Sequence, residues 1–177
     1  MVSLGPAIQG LDMKSMYDFS DKRSRSVKTI SYPTNSLMDI IDTHPDFTLF
    51  KTIVKKAKLE MLLCEETFTV FVPSDYHLKQ KYKLDFFEEL DVGMARRIVH
   101  FSMMPRKMDK LSIQCKNSGR FPTLDRSISM HIKTETINGS CESVIENFIN
   151  VIHWNQPAVN GIIHVIDDFL MVACNSN

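Results

Sequence analysis

The chain has 177 residues, with 21 basic and 21 acidic side chains and 44% hydrophobic residues, enough for one good core with an appendage. A net charge of zero excludes binding to nucleic acid or to a membrane surface by bulk charge, and no run reaches the roughly 18 apolar residues of a membrane span. Residues 1–7 lack the basic and apolar regions of an export signal, so the expected location is intracellular or inside an assembled particle.

Residues 1–34 show little periodic hydrophobicity and include the mixed-charge, serine-rich stretch from Asp18 to Ser26, the composition of an extended arm. From Asn35 the pattern changes. Ser36 with Asp39 resembles a capping box ahead of Leu37, Ile40 and Ile41, which predicts a helix. Asp46 is placed to cap a second helix, with Phe47, Phe50, Ile53, Val54 and Ala57 on its apolar face and Lys51, Lys55 and Lys56 toward solvent. The pair is expected to pack on a sheet. Phe68–Val72 is aromatic and β-branched and stops at Pro73, as a buried strand does.

Ser74 or Asp75 then caps a short helix, Leu84–Leu90 offers another helical face, and Asp91 precedes a third helix bearing Val92, Met94, Ala95, Ile98 and Val99 and ending near His100. Strands are expected around Leu111–Ile113, over Ser127–Ile132, where Ile128, Met130 and Ile132 alternate, and over Phe148–His153. In the last segment Asn160–Gly161 marks a turn, and period 2 puts Ile162, His164 and Ile166 on one face and Ile163 and Val165 on the other. Helices early and strands late predict an α+β fold.

Three segments in this order resemble the marks of the fasciclin-like domain family. Phe68–Asp75, with Phe71, Pro73, Ser74 and Asp75, resembles the family's first motif; Ile98–His100 resembles its tyrosine-histidine segment; Asn160–Asp167 with Leu170 resembles its second motif. The resemblance runs from Asn35 to Val172, leaving residues 1–34 as an arm and 173–177 as a tail, with Pro122–Leu124 opening a strand. It implies a twisted β-wedge packed with several helices, in which Phe71, Pro73, Ser74, Asp75, His100, Asn160, Gly161, His164 and Asp167 are structural-motif residues. Departures are the segment Tyr76-His77-Leu78 and Val99, which stands where the family has tyrosine. The tyrosine segment is associated with adhesion in secreted members, so its change argues against an adhesive role.

No catalytic, cofactor or metal site is expected. A histidine in an apolar strand needs buried hydrogen-bond partners and is read as an internal fastening. Ser74, Asp75, His100 and His164 suggest a triad only on paper, because Ser74 lacks a G-x-S-x-G elbow. Asp167–Asp168 suits a turn or cap better than a metal, since alternation separates these neighbours. His44-Pro45-Asp46 matches the J-domain tripeptide but lies where a helix boundary needs proline and aspartate. The four cysteines form no CxxC pair and are read as free thiols, and Asn138-Gly139-Ser140 is a formal glycosylation acceptor.

Eleven methionines and eleven phenylalanines exceed what a small core needs. Met13, Met16, Tyr17, Phe19, Arg23 and Arg25 in the arm, with Met103 and Met104 in the domain, are the candidate interaction residues. Ordering an arm of this length opposes binding at about 1–2 kcal/mol per residue, which demands extensive burial against a partner or the arm's own domain. The expected function is a non-catalytic structural module, a linker or cement component of a large assembly such as a large viral capsid. An exported adhesion or matrix-binding domain is the alternative. No nucleic-acid partner or small-molecule substrate is expected.

Overall fold

The computed structural model describes residues 30–116 and 118–170; its domain body begins at Tyr32. Helix α1 (Leu37–Thr43) starts where the Ser36 hydroxyl accepts from the Asp39 N–H at 3.1 Å, while the Asp39 carboxylate accepts from the Asn35 N–H at 2.7 Å. The capping box is thus closed one residue early. Helix α2 (Thr48–Ala57) buries Leu49, Phe50, Ile53, Val54 and Ala57 and ends at Lys58, whose φ of 58° is left-handed. Its lysines are tethers as well as solvent-side charges: Lys55 pairs with Asp42 at 3.0 Å, and Lys56 donates to the carbonyls of Phe87 and Glu88. A single turn, α3 (Leu62–Glu65), leads into β1 (Phe68–Pro73).

Helices α4 (Asp75–Lys81), α5 (Leu84–Glu89) and α6 (Val92–Phe101) follow. Asp91 caps α6 by accepting from the Met94 N–H at 2.7 Å. The apolar face expected there is narrower than its pattern, because Val92 and Met94 in the first turn are exposed while Ala95, Ile98 and Val99 are buried. The remaining elements are β2 (Met103–Met104), α7 (Lys110–Gln114), β3 (Ser118–Pro122), β4 (Ser129–Ile137), β5 (Ser140–Ile145), β6 (Ile149–Ala158) and β7 (Gly161–Ile166). They make a seven-stranded sheet in the order β2-β1-β7-β6-β5-β4-β3.

Strands β1 and β7, far apart in the chain, are neighbours in that order. Strands β1 and β7 pair in parallel from Phe68↔Gly161 to Pro73↔Ile166, and every residue of both is buried, as expected of a strand covered on both faces. Val70, Val72, Ile163 and Val165 face a core shared with the helices, built around Phe50, Ile53 and Leu78. Phe71 and Ile166 face a second core closed by Phe121, Met130, Ile132 and Ile145. At the far end the Leu124 N–H donates to the Met103 carbonyl at 2.8 Å, drawing the end of β3 to β2 so that the sheet nearly closes on itself.

Several sequence expectations are corrected. Leu111–Ile113 is helical, because Asp109 caps the segment by accepting from the Ser112 N–H at 2.8 Å and only Ile113 turns inward, with Leu111 70% exposed. Pro122–Leu124 ends a strand instead of opening one: the Thr123 hydroxyl donates to the Asp125 carbonyl at 2.8 Å, with the Ile128 carbonyl also in reach, closing a loop. Strands β4 and β6 run about five residues past their expected ends, and β2, β3 and β5 carry no apolar alternation that would announce them. Met103 and Met104 are not surface anchors. They are 0% and 1% exposed and fill the two cores on either side of β2.

Candidate functional site: the polar junction of the two motifs

The polar residues of the two motif segments sit where helices and sheet meet, and each is engaged over a long sequence distance. Asp75 opens α4 but caps α2. Its carboxylate accepts from the Thr48 N–H (3.0 Å), the Leu49 N–H (2.9 Å) and the Thr48 hydroxyl. Asp46, expected to cap α2, instead accepts from the Tyr76 N–H at 3.1 Å, and its carbonyl accepts from the Asp75 N–H at 2.8 Å. The two aspartates exchange helices. Each satisfies amide donors that a helix start leaves orphaned, and the exchange locks α2 to α4.

Ser74 is the backbone N-cap of α4. Its Oγ lies 3.1 Å from His77 Nδ1, and its N–H donates to the Ile166 carbonyl at 3.0 Å. The contact joins two side chains within the first turn, and the Ser74 hydroxyl caps no main-chain N–H of α4. His44 is likewise a boundary residue: Nδ1 accepts from the Asp46 N–H at 3.1 Å and the ring stacks on Phe47.

Asn160 ties three elements together. Its Oδ1 accepts from the Leu37 N–H at the start of α1 (2.8 Å), and its Nδ2 donates to the carbonyls of Leu63 (2.9 Å) and Glu66 (2.8 Å). Gly161 follows with no positive φ. Its requirement is space, since a Cβ there would lie 2.1 Å from the Phe68 carbonyl oxygen and 2.9 Å from Leu37 Cδ1. The Asn-Gly pair therefore serves the approach of β7 to β1, and the turn itself lies at Val159–Asn160.

His164 is completely buried, between Phe71 and Trp154. The Asn155 N–H donates to its Nδ1 at 3.1 Å, so the proton sits on Nε2, which donates to the Met108 carbonyl at 2.9 Å. Burial pushes its pKa down to about 4, against the opposing pull of the Met108 carbonyl and Asp109, with His153 adding to the depression. An imidazole whose two nitrogens are both spent on main-chain groups has no lone pair to offer a substrate.

The remaining motif residues are placed apart from it. His100 ends α6 half-buried; burial lowers its pKa, Asp125 opposes the shift and Arg96 adds to it. Asp167 binds the N–H and Nδ2 of Asn150 at 2.9 and 2.8 Å, pinning β6 to the end of β7. Asp168 accepts from the Tyr82 hydroxyl (2.8 Å) and pairs with Lys81 (3.1 Å), and the Tyr82 hydroxyl is pushed well up, first by burial and then by that bond. Ser74, Asp75, His100 and His164 thus form no relay, because three of them are committed to separate partners and His100 lies at the end of another helix. Among the described residues no group of three histidine, cysteine or acidic side chains is arranged to hold a metal. Cys64, Cys115 and Cys141 are free thiols.

Met13, Met16, Tyr17, Phe19, Arg23 and Arg25 lie outside the described residues, as do Cys174 and the 173–177 tail. His77 also belongs to the junction, as do Asp46, Asn155 and Tyr82, which carry no local signal for it. The partners of Asp46, Asn155 and Tyr82 come from other elements, and only the spacing of Ser74 and His77 is readable within one helix turn.

The family model of the Fasciclin domain matches residues 45–172. Among solved structures the chain is similar to a FAS1 domain pair from the insect cell adhesion molecule fasciclin I, at 21% identity and a TM-score of 0.61, over 79% of this chain and 52% of that one. The likeness is one of fold, and the chain spans about half the length of the domain pair. No curated protein sequence matches the chain. Among the described residues no helix is long and apolar enough to cross a membrane. Fasciclin domains are typically non-catalytic adhesion or protein-interaction modules. With most of its length matched by the family model and its sheet and helices arranged as in the FAS1 fold, the chain belongs to the fasciclin domain family.

Proposed function

We propose that the chain is a non-catalytic protein-interaction module that links components of a large assembly, with residues 35–172 as a rigid body and residues 1–34 as a tether. The observation that supports the non-catalytic reading is the engagement of both His164 nitrogens with main-chain atoms. The linker reading rests on the sequence of the arm, whose Met13, Met16, Tyr17, Phe19, Arg23 and Arg25 supply adaptable apolar and cationic contacts. A second, tethered contact raises avidity through effective concentration without any change in the first. The most concrete version is a minor or cement protein of a large viral capsid, held within the particle and contacting other proteins of the assembly.

The test compares the full chain with a version lacking residues 1–34. The truncated chain is expected to fold but to lose incorporation into its assembly, with its partners absent from the purified material. Normal incorporation of the truncated chain overturns the linker reading.

A second reading, an exported adhesion or matrix-binding domain, is favoured by one feature. Asn138 of the Asn-Gly-Ser acceptor stands exposed at the β4–β5 turn. Glycan mass on Asn138, or a disulfide in the isolated protein, supports export; an unmodified asparagine with four free thiols supports the interior.

A further inference from the structure

Strand β5 pairs with β4 along its whole length, from Ile137↔Ser140 to Ile132↔Ile145, but with β6 only at Val144↔Asn150 and Ile145↔Ile149. Both strands run on past that contact. Ser140–Ser143 has β4 on one side only, and β6 from Val151 to Ala158 is paired with β7 alone. Where they diverge, a groove of about 270 Å³ opens, lined by Cys141, Glu142, Ser143, Asn150, Val151 and Trp154.

Ladder alternation decides what the backbone presents there. The two-residue turn at Asn138–Gly139 makes Ile137 and Ser140 a pair that exchanges both hydrogen bonds, so Glu135 and Glu142 do the same two residues on. Thr136–Cys141 and Thr134–Ser143 are then the non-bonded pairs, and the main-chain groups of Cys141 and Ser143 point away from β4 toward the groove. A side-chain amide already occupies the edge: Gln114 Nε2 donates to the Cys141 carbonyl and to Ser143 Oγ, both at 3.3 Å. These are long bonds, easily exchanged for a better-aligned donor. Gln114 stands where the N–H of an added strand would stand.

Side chains narrow the occupant. The groove is lined mostly by polar groups, with Val151 and the half-buried indole of Trp154 as its apolar contacts. Glu142 lies directly opposite Glu135, which Lys133 neutralises, and among the described residues no cation is paired with Glu142. A carboxylate left without a cation beside it favours one from outside. The sheet's other seam is unsuited to the same use, since β2 runs into Pro105 and β3 ends in Pro122, and neither residue has an N–H to offer.

We infer that the β5–β6 groove docks an extended segment of another protein, which adds as a strand along Ser140–Ser143 with an apolar side chain on Trp154 and a lysine or arginine at Glu142. This deepens the interaction-module reading and rests on it. The Gln114 carboxamide is displaced as the segment enters.

The test uses the full chain and a capped peptide of about eight alternating lysine and valine residues, a typical strand length. The expected result is a saturable change in the fluorescence of Trp154, the single tryptophan, with slowed hydrogen exchange confined to Ser140–Ser143. Glu142→Lys is expected to weaken binding about fivefold. Gln114→Ala strengthens it, because nothing then has to be displaced, and the same peptide N-methylated at alternate amides does not bind. Protection elsewhere, no protection at millimolar peptide, or equal binding of the N-methylated peptide overturns the assignment. Capture of the chain's own partner that survives both Glu142→Lys and Cys141→Pro overturns the groove while leaving the interaction module standing.

Discussion

The molecule contains the dipeptide Asn-Gly twice, once between two antiparallel strands and once at the entry to a strand, and the two copies depend on different physics. At Asn138–Gly139 the turn residues have φ of 50° and 80°, both residues are exposed, and a Cβ on Gly139 would meet nothing within 4 Å. That is a primed hairpin turn, in which glycine supplies only backbone freedom. At Asn160–Gly161 glycine supplies absence of volume against the Phe68 carbonyl, and the asparagine amide links α1, the α3 region and β7. The difference teaches that the motif at 160–167 is a device for long-range assembly, while the identical pair at 138–139 is local.

Substitutions sharpen the contrast, beginning with the largest effect. Gly161→Ala is expected to cost about 4 kcal/mol or more, since backbone of β1 must move to admit the methyl; chemical denaturation or loss of soluble folded protein reads this. A loss below about 1 kcal/mol would mean that β1 and β7 separate easily.

His164 gives the next effect, through pH. Its folded pKa is depressed to about 4 from 6.5, so in that window the unfolded chain holds a proton that the folded chain does not. Stability is unaffected above the window and falls as pH drops through it, by about 3 kcal/mol in all. Urea midpoints of the parent and of His164→Gln, measured from pH 7 to pH 4, should show a steeper fall in the parent. Parallel curves would mean that the buried imidazole does not titrate with unfolding.

Asn160→Asp is expected to cost about 2 kcal/mol by losing two donors and setting a carboxylate against two carbonyls, whereas Asn138→Asp should stay within about 0.5 kcal/mol. Thermal unfolding of the pair reads the gap directly, and equal losses would erase the distinction drawn above. The smallest glycine effect is Gly139→Ala, about 1 kcal/mol from backbone strain alone. A D-alanine at 139 should remove that strain.

Much of the helical half was legible. Ser36 and Asp91 announce their helices because a cap bonds within three residues, and Phe50, Ile53 and Val54 announce a buried face because 3.6-residue periodicity is local. Asp46 was misleading for the opposite reason: a cap-forming residue beside a helix start is usable by any amide that folding brings near, and α4 takes it. Strand β5, with Ser140, Cys141, Glu142 and Ser143 in succession, is held by its neighbour and its turn instead of by its own pattern. Leu111 and Ile113 look like a strand until Asp109 caps the helical turn that holds them both.

The sequence by itself determined which segments are apolar, where caps and turns are available, and that Phe68–Asp75 and Asn160–Asp167 mark a fasciclin domain, because each of those properties lies within a few bonded neighbours. Tertiary structure alone decided that Asp46 and Asp75 exchange helices, that His164 is clamped between Asn155 and Met108, that Met103 and Met104 are core, and that β5 and β6 part with Gln114 bonded to the β5 edge. The physical reason is common to all four: a hydrogen bond or a van der Waals contact is specified by distance in space, and the partners here come from separate elements of the chain.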